Sequence, residues 1–252
     1  MKARPVQPAG LAWCSTGMSA PKTWDWPAIG AALDRDGYAT APIVPTVLSP
    51  TECQTLIGYY DQPKHWRAKV NMARHRFGSG EYQYFANPLP KLVSALRTAV
   101  YPHLVPIANA WYQKLGFDTR FPVELDEFLD LCHRDGQNRP TPLLLRYREG
   151  DYNCLHQDIY GEHAFPLQLM VALSELDVDY TGGEFMLVEN LPRAQSRGRS
   201  ITLRQGQAVI WPTRYRPGVG QRGYYRIAVR HGVSTVHSGL RHTLGVIFHD
   251  AA

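Results

Sequence analysis

The chain has no apolar run approaching the roughly 20 residues that cross a bilayer; Leu143-Leu144-Leu145 and Ala208-Val209-Ile210-Trp211 are typical of its short ones. No membrane partner is expected. Cysteine is scarce: Cys14, Cys53, Cys132 and Cys154 are widely spaced and form no CxxC pair. That argues against a thiolate zinc site and against a disulfide scaffold. Charged residues are only 19% against 44% hydrophobic ones, which excludes disorder along the whole chain. No long apolar stretch follows Lys2 and Arg4, so no secretory signal is expected and the protein reads as cytoplasmic. Residues 1–22 are rich in Pro, Ala, Gly and Ser and read as a flexible arm, with Met18 an alternative start to Met1. Acidic residues are missing from one long stretch: Leu191 to Arg230 holds nine arginines and no Asp or Glu.

What is present gives 252 residues with a net charge of +5, enough for one large domain, expected over 23–252 and as a monomer. Residues 23–140 read as helical support and substrate lid. Trp26 to Arg35 is amphipathic and closed by Gly37, and Tyr38 to Val47 reads as extended. Ser49-Pro50-Thr51-Glu52 is a capping box with proline in the first turn, opening a helix through Tyr60. Leu89 to Gly116 reads as helical with interruptions at Pro102 and Pro106, and Val123 to His133 as a further helix. After the polar breaker at 136–142 the pattern changes to short strand-like runs: 143–148, 167–173, 184–188, 200–203, 208–211, 225–230 and 244–249. Many short strands at regular spacing predict an antiparallel barrel or sandwich, so the fold class is α+β.

The most informative spot is His156-Gln157-Asp158. On a strand, residues two apart share a face, so an imidazole and a carboxylate could share a metal ion; a surface pair is the plainer alternative. Context adds weight. Arg146-Tyr147-Arg148 precedes it, and Gly182-Gly183-Glu184-Phe185 follows as a tight turn into a strand. Then come 206–212, His231-Gly232-Val233-Ser234, and Arg241 ten residues on. A turn at Ser238-Gly239 would let Arg241 lie on a strand beside the one ending at His231.

This ordered series, over about Thr141 to Asp250, resembles the iron(II)/2-oxoglutarate-dependent dioxygenases. The resemblance implies a double-stranded β-helix (jelly-roll, cupin-like) core over 141–252. It implies Fe(II), 2-oxoglutarate and O2 as cofactors, with ascorbate as a reductant. Two histidines and a carboxylate on one face of iron leave three open positions, which assigns His156, Asp158 and His231 to the metal. The far carboxylate of 2-oxoglutarate needs a fork of donors, supplied by Arg241 and assisted by Tyr147. His163, His237, His242 and His249 fit the third ligand less well by spacing and are expected as surface or hydrogen-bonded residues. Cys154, two before His156, is expected as a buried filler.

The stretches "MARHRFGSGEYQYF", "LLLRYREGDYNCLHQDIYGE" and "RHTLGVIFHDA" further resemble a bacterial family of oxygenases associated with damaged nucleic acid, which implies oxidative demethylation of alkylated bases in DNA. The spacing from His231 to Arg241 and the "HGVSTVHSG" return also resemble prolyl hydroxylases, which implies a prolyl side chain or a small metabolite as the other substrate class. Charge bears on the choice. Outside 191–230, the remaining 18 basic residues are outnumbered by all 22 acidic ones. The positive charge is therefore concentrated, which suits a phosphate backbone as well as solvent. Between Lys64 and Phe85, basic and aromatic residues interleave, as stacking on a flipped base requires. Candidate substrate contacts are Arg74, Arg76, Tyr82, Tyr84, Arg214 and Arg216.

Overall fold

A computed structural model describes residues 21–252. The arm expected over 1–22, both candidate starts and Cys14 fall almost entirely outside these residues. The described part begins with a 3-10 turn, Pro21–Thr23, whose Pro21 is buried. Then come α1 (Trp26–Asp36), β1 (Ala39–Thr40), α2 (Pro50–Gly58), β2 (Trp66–Asn71), β3 (Gly78–Ser79), β4 (Glu81–Phe85), α3 (Lys91–Lys114) and α4 (Leu125–Arg134). The second half is β5 (Leu143–Arg148), β6 (Tyr152–His156), β7 (Leu167–Ala172), β8 (Tyr180–Gly182), β9 (Phe185–Asn190), β10 (Arg197–Ile201), β11 (Ala208–Pro212), β12 (Tyr215–Gly220), β13 (Gly223–Val233) and β14 (Val236–Val246).

The strands form two antiparallel sheets. The larger runs β1-β11-β7-β14-β5-β4-β2, with β8 also paired to β14; the smaller runs β10-β9-β13-β6-β3, with β12 also paired to β13. This is the mixed helix and antiparallel-sheet architecture expected. The centre of the large sheet, β7, β11 and the C-terminal half of β14, is covered on both faces. Leu167, Leu169 and Val171 of β7, with Ala208 and Ile210 of β11 and Leu244 and Val246 of β14, face the helices. The alternating Met170, Ala172, Val209 and Trp211 face the small sheet, where they meet Phe185, Leu187, Ile227 and Val229. Burial on both faces explains why these strands read as continuous apolar runs.

Local signals were accurate where the physics is local. Ser49 Oγ accepts from the Glu52 N–H, and the Glu52 carboxylate accepts from the Ser49 N–H in return. Gly37 closes α1 at φ +79°, where a side chain would be strained. Helix α2 stops at Gly58, short of Tyr60, and of 38–47 only Ala39–Thr40 is strand. Pro102 and Pro106 do not interrupt α3, which carries both inside a 24-residue helix. They lie off the buried stripe of Leu96, Val100, Leu104, Ala108 and Trp111, whose packing outweighs the missing N–H groups. Residues 66–85 supply two strands to the large sheet, so the first half is not purely helical.

Candidate metal and cosubstrate site

The side chains of His156, Asp158 and His231 converge, with their ligand atoms all within 4.8 Å of one another. His156 ends β6 and lies directly opposite His231 of β13 in the register. Asp158 is not on the strand: β6 stops at His156, and the loop after it turns the carboxylate inward. The Nε2 atoms of the two rings face one carboxylate oxygen each, His156 to Oδ1 at 3.3 Å and His231 to Oδ2 at 3.1 Å. The Nδ1 of His156 bonds the Cys154 carbonyl at 2.8 Å, which fixes its tautomer and leaves the Nε2 lone pair free for a cation. His231 packs against Trp211, with ring centres 5.0 Å apart.

The electrostatics favour the ligand form at Asp158 and at His231, but not at His156. Burial opposes the Asp158 carboxylate, yet the two neighbouring imidazoles outweigh it and hold its pKa well below the usual carboxylate range. Burial, with the charge of His156 second, lowers His231 and keeps it neutral. His156 is pulled the other way: burial opposes its protonation, but the hydrogen bond to Asp158 prevails and raises it. Two neutral-capable nitrogens and one anionic oxygen at mutual contact distance fit a divalent cation.

These residues stand in the wall of a cavity of about 190 Å³ between the sheets. Phe77, Tyr82, Tyr147, Tyr160, Phe185 and Trp211 give it aromatic walls. Three of its polar groups, Gln168 Nε2, Trp211 Nε1 and Thr243 Oγ1, are buried with no hydrogen-bond partner among the described residues. Unpaired buried donors are costly unless a ligand meets them.

Arg241 is nearby, but not where the spacing placed it. The chain reverses between Val233 and Val236, Ser238 and Gly239 lie inside β14, and β14 pairs with β5, β7 and β8 in the other sheet. Arg241 is therefore opposite Tyr147 of β5, in a small recess adjoining the cavity. Its guanidinium is 5.4 Å from the Tyr147 ring centre, and its Nε and Nη1 are buried without hydrogen-bond partners among the described residues. The GGEF turn makes room for it: a Cβ at Gly183, φ +63°, would stand 2.9 Å from Arg241 Cδ. Tyr147 is fully buried and its hydroxyl accepts from Asn153 Nδ2 at 3.3 Å.

The remaining candidates divide. Tyr82 lines the cavity. Tyr84 is buried beside Tyr160, beneath the Arg67 guanidinium at 4.3 Å. Arg74 and Arg76 are exposed on the turn that carries Phe77 to the cavity rim, and Phe77 stacks on His75. Arg214 is exposed and stacks on Tyr215. Arg216 is not available to a phosphate: it is buried, its Nε donates to Glu189 Oε1 at 2.5 Å, and its Nη1 donates to the Asp34 carbonyl. Cys154 is exposed, not a buried filler. His163 pairs with Asp135, His249 is buried with its Nδ1 accepting from the Phe165 N–H, and His242 is buried against Tyr60.

Two contributors carried no signal in the spacing. Tyr160 donates to Asp158 Oδ1 at 2.7 Å. Gln157, on the cavity wall, donates to the carbonyls of Arg214 and Val229. The first repeats the two-residue step from Asp158, but only the loop's fold brings its hydroxyl back.

Comparison with known proteins was made against this geometry. The model of a family described as "Oxygenase, catalysing oxidative methylation of damaged DNA" matches residues 80–251. "Uncharacterized protein Rv2227" of Mycobacterium tuberculosis is 51% identical over 168 residues, which is 67% of this chain and 72% of that protein. Among solved structures, the non-heme alpha ketoglutarate dependent carbocyclase SnoK from nogalamycin biosynthesis superposes with a TM-score of 0.54 at 13% identity. That match covers 91% of this chain and 86% of SnoK. A Pseudomonas putida prolyl-4-hydroxylase superposes with a TM-score of 0.50 at 13% identity, covering 87% of this chain and 96% of that one. At such identity these structures establish the shared fold.

Proposed function

This chain belongs to the oxygenase family whose model it matches, and from that premise we propose that it is an Fe(II)- and 2-oxoglutarate-dependent dioxygenase that removes alkyl groups from damaged nucleobases. The observation that carries the reading is the meeting of His156, Asp158 and His231 on the wall of an aromatic cavity. The donor set fits the metal, and the buried, unpaired guanidinium of Arg241 fits a dicarboxylate cosubstrate.

His156, Asp158 and His231 would hold iron, and Arg241 with the Tyr147 hydroxyl would hold the far carboxylate of 2-oxoglutarate. Iron bound there supplies the coupled chemistry in which O2 and 2-oxoglutarate become succinate, CO2 and one oxygen atom inserted into a C–H bond. Such insertion cannot add a methyl group; it can oxidise one. An N-methyl group becomes N-hydroxymethyl, which expels formaldehyde and leaves N–H. Demethylation is therefore the balanced form of the family's described reaction. The aromatic walls, Tyr82 and Phe77 above all, would stack the extruded base, and Arg74 and Arg76 stand on the rim turn where phosphates would pass. Tyr160 and the Cys154 carbonyl hold the metal-facing groups of Asp158 and His156 in place.

The test is release of formaldehyde and succinate in equal amounts from methylated oligonucleotides, with both products lost in His156→Ala. Turnover of a prolyl peptide or a small metabolite, with none on any alkylated DNA or RNA, would overturn the substrate and leave the cofactor chemistry standing.

A further inference from the structure

We propose that the outward face of the β12–β13 hairpin docks the phosphodiester backbone of a nucleic-acid strand. This rests on the substrate reading above and adds the surface that holds the polymer flanking the reacting nucleotide.

The fold sorts the arginines of 191–230 into two groups. Arg199, Arg204 and Arg216 are neutralised by Asp36, Glu175 and Glu189. Among the described residues, no carboxylate pairs with Arg222, Arg226 or Arg230. Arg226 and Arg230 stand on one face of β13, and Arg222 lies in the turn that precedes it. Tyr225, Ile227, Val229 and His231 point inward, while Tyr224, Arg226 and Arg230 are exposed on the other face and Arg222 is exposed in the turn. From Tyr224 to Arg230 the row spans roughly 20 Å.

The neighbours on that face carry no negative charge. Opposite the row stand Val219 and Pro217 of β12, and Val188 and Asn190 of β9. The one acidic residue of this part of β9, Glu189, is on the inner face with Arg216.

Aromatic rings shape the cations into a surface. The Arg226 guanidinium lies 4.4 Å from the ring centre of Phe117, while the Lys114 ammonium, 5.5 Å from the ring centre of Tyr224, is itself paired with Asp34 at 3.0 Å. Stacking restrains the fork while its N–H edge stays free for a phosphate, and exposed Tyr224 offers a face to a base. The row lies on the outer face of the strand whose inner face carries His231. Arg230 is bonded in sequence to His231, and Gln157 of the cavity wall holds the carbonyls of Arg214 and Val229.

The experiment is binding of fluorescein-labelled, unmodified oligothymidylate, followed by polarisation at a series of salt concentrations. It compares wild type with R222Q/R226Q/R230Q and with the charge-matched K22Q/K91Q/R134Q, whose residues are exposed elsewhere. Loss of three phosphate contacts should flatten the log–log salt slope by about 2 and weaken low-salt binding at least tenfold. The control should bind like wild type, and turnover of a methylated mononucleotide should be the same in all three. Equal binding by the hairpin variant, or an equal loss in the control, overturns the docking surface alone. A wild type that neither binds oligothymidylate nor oxidises any alkylated nucleotide overturns the substrate reading with it.

Discussion

The hydroxyl of Tyr160 donates to Asp158 Oδ1 at 2.7 Å, while Asp158 Oδ2 faces Nε2 of His231 at 3.1 Å. Oδ1 thus takes the Tyr160 hydrogen bond while also facing His156 Nε2 at 3.3 Å, and Oδ2 faces His231 alone. This arrangement favours a carboxylate that binds a cation through one oxygen and keeps further positions open. Tyr160→Phe should weaken Fe(II) or Mn(II) affinity by about 10–100-fold while the metal-free melting temperature shifts little. Calorimetric titration of metal decides it; unchanged affinity would remove Tyr160 from the site.

Arg241 is a buried cation with two unpaired nitrogen atoms. A buried, unpaired charge costs stability, so Arg241→Met should leave the metal-free protein as stable as wild type or more so. The same change should raise the 2-oxoglutarate requirement at least tenfold. A thermal melt and a 2-oxoglutarate titration separate the two effects. A marked loss of stability with no change in the requirement would make the residue structural.

Arg216 and Glu189 form a buried pair. Arg216→Ala leaves the carboxylate buried and alone, at a cost of about 3–5 kcal/mol. Urea unfolding should show that loss, while the salt dependence of oligonucleotide binding by the folded fraction stays as in wild type.

His242 and His249 are both held down to about 4, in each case first by burial. Unfolded, both titrate near 6.5, so the unfolded chain takes up protons that the folded chain refuses. Their contribution is fully present above about pH 6.5 and lost as pH falls toward 4, by at most roughly 3 kcal/mol for each. His249 Nδ1 accepts from the Phe165 N–H, and His249→Asn can keep that acceptor without titrating. Unfolding free energy measured from pH 7 to pH 5 should therefore fall less steeply in His249→Asn than in wild type.

Much of the fold was legible because its causes are local. The capping box at Ser49, the Gly37 stop and the short apolar runs of the second half depend on residues within a few positions of one another. The missed strands β6, β8 and β12 are short or partly exposed and lack that apolar pattern. In β2 and β4, interleaved basic and aromatic residues read as a lid, but sheet pairing with β5 decided their conformation.

By itself the sequence determined the chemical inventory: two histidines and an aspartate at suggestive spacing, an arginine ten residues on, and a block of positive charge without acids. Only the tertiary structure decided which of these groups meet. Asp158 is aimed by a loop, and Arg241 enters from the opposite sheet. Arg216 is neutralised by a residue 27 positions away, whereas the outward arginines of β13 remain unpaired. The reason is physical: spacing along a chain sets only what can be near, whereas burial, register and the pairing of charges in a low-dielectric interior set what is.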